Sequence, residues 1–193
     1  MHKGRLEAFS DGVLAIIITI LVLELRAPHS AEWSALTPLI PAFISHVLSF
    51  IYLGIYWNNH HHLMQAASHV TGAVLWANLH LLFWLSLIPF VTGWMGENEF
   101  AAIPVAVYGA DLVMAALAYY VLERTLIAAQ GKDSRLKGAV GAEMKGWISV
   151  ALYVGGILAA LLWTQWVALG LYALVALMWL VPDRRIEKAL GRQ

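Results

Sequence analysis

Four groups of side chains in this sequence have the types and spacing to do chemistry. The first is a run of polar residues, Arg5, Glu7, Ser10, Asp11, Thr19 and Glu24, set in or at the edges of an otherwise apolar stretch. Ionisable groups at membrane depth are expensive in lipid, so they face protein or water and mark ion paths or polar contacts between helices. The second is the triplet His60-His61-His62, whose residue type suggests a metal. Consecutive residues on a helix point about 100° apart, so three in a row cannot converge on one ion. The third is His46 with His80, a pair that would suit axial ligation of a haem. Each is satisfied more simply by a hydrogen bond across a helix interface. The fourth is Asp111, alone in an apolar segment, which suits either a proton relay or a buried bond between helices.

The elements that position these groups follow from composition. Hydrophobic residues make up 61% of the 193 and charged residues 12%, and mean hydropathy is +0.70. A soluble domain carries about twice that charged fraction, so the chain reads as an all-α integral membrane protein. Twelve basic residues balance twelve acidic ones, which leaves no basic field to hold nucleic acid. The absence of cysteine removes disulfides, thiolate metal sites and thiol nucleophiles. Apolar segments run over 6–25, 37–57, 70–94, 101–126, 146–162 and 166–181, separated by polar, glycine-bearing or proline-bearing breaks that include the histidine triplet. Six membrane helices are therefore expected, in one domain over 1–193. The first is not read as a cleaved signal peptide, because it holds Glu7, Asp11 and Glu24 and lacks a small-residue cleavage site.

Eleven of the twelve basic residues (Lys3, Arg5, Arg124, Lys132, Arg135, Lys137, Lys145, Arg184, Arg185, Lys188 and Arg192) fall on one side of a six-helix layout, and only Arg26 falls on the other. The positive-inside rule then places both termini and the loop over 130–145 in the cytoplasm, in a multi-pass protein of the cell membrane. Trp33, Trp57, Trp94, Trp147, Trp163 and Trp179 read as interface anchors.

On the first helix, Ile16, Ile20 and Leu23 share one stripe with Thr19 beside it, roughly 10 Å long at 1.5 Å per residue. Periodicity alone leaves that stripe free to meet lipid, a neighbouring helix or a pore. Val91-Thr92-Gly93-Trp94-Met95-Gly96 carries the residue types of a carbonyl selectivity filter in the wrong order, and its glycines read as a helix terminus at the outer face.

Arg-x-x-x-Phe-Ser-Asp at 5–11, followed by Ala-Ile-x-x-Thr at 15–19, resembles the signature of the transmembrane protein 175 family of potassium channels, in its prokaryotic branch. Tyr56-Trp57-Asn-Asn-His60-His61-His62 and the stretch from Trp76 through Asn78 to Pro89-Phe90 are similar to further landmarks of that family. The resemblance implies a homotetramer with six helices per chain, the first helix of each lining a central pore. It maps the narrowest aliphatic ring to Ile16, further pore-facing positions to Ile20 and Leu23, and a polar position to Thr19. It also implies that Arg5, Phe9, Ser10, Asp11, a histidine of the pair His60 and His61, and Asn78 brace the pore helix through one polar network. Glu24 then sits in the outer vestibule and attracts cations.

The function expected is a cation channel, potassium favoured over other monovalent cations, with no enzymatic activity, no cofactor and no metal beyond the permeant ion. Two alternatives belong to other classes. A proton-coupled carrier would use Asp111, and a haem-bearing membrane electron carrier would use His46 and His80.

Overall fold

The computed structural model describes residues 3–131 and 144–180, which form an all-α bundle of six helices, five of them long and apolar enough to cross a membrane. In chain order these are α1 (Lys3–Leu21), α2 (Ile40–Ala66), α3 (Gly72–Glu97), α4 (Ala102–Gln130), α5 (Met144–Leu162) and α6 (Gln165–Leu180). Lys132, Arg135, Lys137, Arg184, Arg185, Lys188 and Arg192, on which the orientation partly rests, lie outside the described residues.

Helix α1 buries Leu6, Ser10, Leu14, Ile17 and Leu21, a helical-period face that packs on α2 and α3. Beyond Leu21 the backbone tightens into a 3-10 turn over Val22–Glu24, and Leu25 N–H closes on the Val22 carbonyl at 3.1 Å. The first span is thus an α-helix with a narrower C-terminal end, where one uninterrupted helix over 6–25 was expected.

The second span also departs from its expected bounds. A 3-10 segment, Trp33–Leu39, leads into α2, whose first turn holds Pro41 where the missing N–H costs nothing. The helix then winds through the histidine triplet to Ala66, although those residues were read as a break. Polarity does not stop a helix unless the backbone is also blocked, and no glycine or proline lies between Gly54 and Ala66.

Thr71 opens α3, its hydroxyl oxygen accepting Val74 N–H. Gly93 and Gly96 lie in the last two turns of this helix, which ends at Glu97, where the glycines led a terminus to be expected. Each is a point of close approach, Gly93 to the Glu24 side chain and Gly96 to Ala42 and Ser45 of α2. The turn after α3 holds Glu99 and Phe100 at positive φ, 51° and 60°, and buries Phe100 against Trp166.

The rest of the core is tyrosine-rich. Tyr52 donates to the Tyr172 carbonyl at 2.6 Å, Ser49 joins the Thr92 and Tyr108 hydroxyls at 2.6 and 3.0 Å, and Tyr119 donates to the Asn59 carbonyl at 3.2 Å. The Tyr172 ring lies against Gly109 of α4 and Gly156 of α5, where an added Cβ would overlap it. Lys3 donates to the Gln65 carbonyl, Trp147 packs on Tyr120, and Trp179 donates to Ser149. These contacts gather the basic residues Lys3, Arg5, Arg124 and Lys145 at one end of the bundle. Arg26 pairs with Glu97 at 3.1 Å at the other.

Candidate functional site

Because α1 buries one face against α2 and α3, the opposite face is presented outward. Ile16 is 58% exposed, Ile20 40% and Leu23 74%, whereas Ile17 is 4% exposed and packed in the core. Phe9, Gly12 and Thr19 share the outward face. The Thr19 hydroxyl donates to the Ile16 carbonyl at 2.8 Å, so its proton is spent on the helix and its lone pairs are left facing outward. An apolar ladder with one acceptor oxygen, that of Thr19, is the surface that results. Beside it runs an open groove of about 750 Å³ between α1 and α3, lined by Val13, Ile16, Ile20, Pro89, Phe90 and Trp94. The groove ends at Glu24, Arg26 and Glu97.

Behind the ladder lies a buried hydrogen-bonded chain that crosses three helices. Asn78 of α3 donates from Nδ2 to Ser10 Oγ at 2.9 Å, and Ser10 donates in turn to the Leu6 carbonyl at 2.9 Å. His60 of α2 meets Asn78 Oδ1 at 2.7 Å. An amide oxygen only accepts, so His60 carries a proton on Nε2. The direction of every bond is thereby set: His60 to Asn78, Asn78 to Ser10, Ser10 to the α1 backbone. All three side chains are buried.

The remaining members of the expected network stand apart from that chain. Asp11 accepts from Trp57 Nε1 at 3.1 Å near the surface. His61 stacks on Trp57, faces Glu7 Oε1 from Nδ1 at 3.5 Å, and accepts from the Gln65 amide at 2.8 Å. Arg5 is exposed and makes no hydrogen bond or ion pair among the described residues, and Phe9 lies on the outward face. One expected network is therefore two: a buried chain of Ser10, Asn78 and His60, and a surface set of Glu7, Asp11, Trp57 and His61.

The other chemical candidates separate in space. The His60–Asn78 and Ser49–Thr92 bonds set the antiparallel register of α2 and α3, which puts His46 and His80 about 20 Å apart along the bundle at 1.5 Å per residue. His80 accepts from Trp84 on its own helix, and His46 donates from Nδ1 to the Leu21 carbonyl at 3.3 Å. No common haem joins them. Asp111 is buried in α4, away from α1, and neither carboxylate oxygen has a partner among the described residues. Val91 through Gly96 lie within α3, so their carbonyls belong to the helix and do not form a filter.

Sequence reasoning read Trp57 as an interface anchor and the glycines of 91–96 as a helix terminus, and did not pair Trp57 with Asp11 or Gly93 with Glu24. The Glu24 carboxylate rests directly on Gly93. A glycine level with an acid on a neighbouring span is the signal for such a contact, but it becomes readable only once the register of the two helices is known.

Among known proteins, residues 5–89 match the family model described as endosomal/lysosomal potassium channel TMEM175. A protein named a potassium channel from Chryseobacterium sp. (strain P1-3) is 56% identical over 190 residues, 98% of this chain and 98% of that one. Another, from Streptomyces collinus, is 35% identical over 129 residues, 63% of each chain. The crystal structure of a lysosomal potassium-selective channel TMEM175 homolog from Chamaesiphon minutus superposes with a TM-score of 0.80 at 25% identity, covering 94% of this chain and 97% of that one.

Proposed function

The chain belongs to the TMEM175 family, and from that premise we propose that it is a homotetrameric potassium channel of the cell membrane, with α1 of each copy lining a central pore. The observation that carries the reading is the outward face of α1. It presents Ile16, Thr19, Ile20 and Leu23 on a helix whose back is held by a buried polar chain. One chain cannot enclose an ion path with a single helix face. Four copies around an axis close a ring, and the pore exists only in the assembly.

Ile16 forms the narrowest ring. A constriction of aliphatic side chains excludes ions by dewetting when narrow and passes partly dehydrated ions when wider. Potassium costs less to dehydrate than sodium, so ring size discriminates between them, and the outward lone pairs of Thr19 replace part of the lost water shell. Glu24, near the mouth of the groove, raises the local concentration of monovalent cations. Ser10, Asn78 and His60 hold the helix against α2 and α3, with Asp11, His61, Phe9 and Arg5 around them. The permeant ion is potassium; the reading invokes no cofactor, resident metal or enzymatic step. The chain forms one channel domain over 1–193 with both termini cytoplasmic.

Purified protein in a planar bilayer, with potassium and sodium on opposite sides, tests this directly. A reversal potential shifted toward that of potassium is expected, and absence of single-channel steps overturns the reading. A second reading, a proton-coupled carrier, draws on the unpartnered carboxylate of Asp111 and predicts saturable flux driven by a pH gradient.

A further inference from the structure

The outer end of α1 is not held by α1 alone. In an uninterrupted helix the Leu21 carbonyl would accept from Leu25 N–H, but Leu25 closes on Val22 instead, at 3.1 Å. His46 of α2 donates from Nδ1 to that same Leu21 carbonyl at 3.3 Å, with its ring between Phe43 and Phe50. A carbonyl only accepts, so Nδ1 carries the proton. The side chain thus supplies a donor at the residue where the helix changes its winding.

That change alters where Leu23 points. A helix turns about 100° and rises about 1.5 Å per residue, while a 3-10 turn gives about 120° and 2.0 Å. Continued α-winding would leave Leu23 about 60° from Ile20 and about 20° from Ile16 around the axis; two residues of tighter winding bring it to about 20° from Ile20 and leave it about 20° from Ile16, on the other side. It also advances by about 1 Å. Leu23 then lies between Ile16 and Ile20, and the three aliphatic residues fall within about 40° of arc instead of about 60°.

We propose that His46 is a positioning residue of the outer pore: its bond to Leu21 keeps Val22–Glu24 wound as a 3-10 turn and so turns Leu23 toward Ile20. This rests on the reading of α1 as the pore helix.

The chain has no cysteine, so single-cysteine reporters need no prior substitution. Leu23→Cys and Ile16→Cys channels are exposed to a cationic, membrane-impermeant methanethiosulfonate reagent in bilayers, and the rate of current block is measured. Each reporter is then combined with His46→Ala, His46→Asn or His46→Gln. Asparagine places its amide nitrogen where Nδ1 sits, and glutamine places it where Nε2 sits. His46→Ala and His46→Gln should slow block at Leu23→Cys several-fold, His46→Asn should restore it, and block at Ile16→Cys should be unchanged throughout. Equal rates at Leu23→Cys in all backgrounds, or His46→Asn behaving as His46→Ala does, overturn the proposal. A conducting Ile16→Cys channel with native His46 that the reagent never blocks overturns the pore reading itself, whatever Leu23→Cys does.

Discussion

Replacing Asn78 with alanine should destabilise the protein far more than removing either charged member of the signature at 5–11. Asn78 makes two buried bonds at once, to Ser10 at 2.9 Å and to His60 at 2.7 Å, and so joins α1, α2 and α3. Bonds between helices in membranes contribute about 0.6–2 kcal/mol each. The substitution also leaves His60 Nε2–H buried without an acceptor, a penalty of about 1–3 kcal/mol. His60 Nδ1 already lacks a partner among the described residues, so the ring has no alternative bond in place. The total is about 2–7 kcal/mol. Asp11 makes one bond, to Trp57 at the surface, and Asp11→Ala should cost about 0.5–1 kcal/mol. Arg5→Ala should lie within about 0.5 kcal/mol. Unfolding of the detergent-solubilised protein, followed by tryptophan fluorescence over a denaturant series, ranks the three. A double-mutant cycle between Ser10→Ala and Asn78→Ala should give a coupling of about 1 kcal/mol. The reasoning fails if Asp11→Ala costs as much as Asn78→Ala, or if Ser10 and Asn78 show no coupling.

Ile16→Asn should wet the constriction and Ile16→Ala should widen it. Both should raise conductance and erode potassium over sodium selectivity, read as a reversal potential moving toward zero. Ile17→Asn places an amide in the core and should lower the yield of folded protein without shifting reversal potential; a selectivity shift from Ile17→Asn alone would move the ring to another face. Chemical cross-linking in mild detergent should produce a ladder ending at four chains, and a conducting protein that remains monomeric would remove the central pore. Gly156→Ala should destabilise by about 1–3 kcal/mol in thermal unfolding because the added methyl overlaps the Tyr172 ring; an unchanged melting temperature would mean that the contact relaxes freely.

The parts of this structure that could be read from the sequence are those governed by local rules. Hydropathy located six helices, and the 3.6-residue period separated Ile16, Ile20 and Leu23 from Ile17, because burial of Leu6, Ser10, Leu14, Ile17 and Leu21 leaves the other face outward. The end of α2 was misplaced because His60-His61-His62 is polar but carries no backbone breaker. Long-range pairings were harder. Asp11 meets Trp57 and Glu24 meets Gly93 only through the register of separate helices, which a single sequence does not encode locally. Arg5 and Asp11 were grouped with Ser10 by the family resemblance. Their directions on the helix instead send Ser10 inward, Asp11 toward α2 and Arg5 outward.

In the proposed tetramer, the one-way order of the bonds from His60 through Asn78 to Ser10 limits how the aperture can change. Each donor has a single acceptor, so α1 cannot twist about its own axis or slide along α3 without breaking a buried contact. The N-terminal half of α1 is therefore keyed to α2 and α3 like a stave fixed to its hoop. Two degrees of freedom remain for opening and closing. The isoleucine side chains can change rotamer, which alters the bore by the width of a methyl group, or whole three-helix blocks can tilt relative to one another. The first needs no backbone movement and proceeds on the timescale of side-chain motion, whereas the second is collective and slow. Flicker kinetics in single-channel records would then separate the two, with brief interruptions reporting on the ring itself and long closures on the tilting of the blocks.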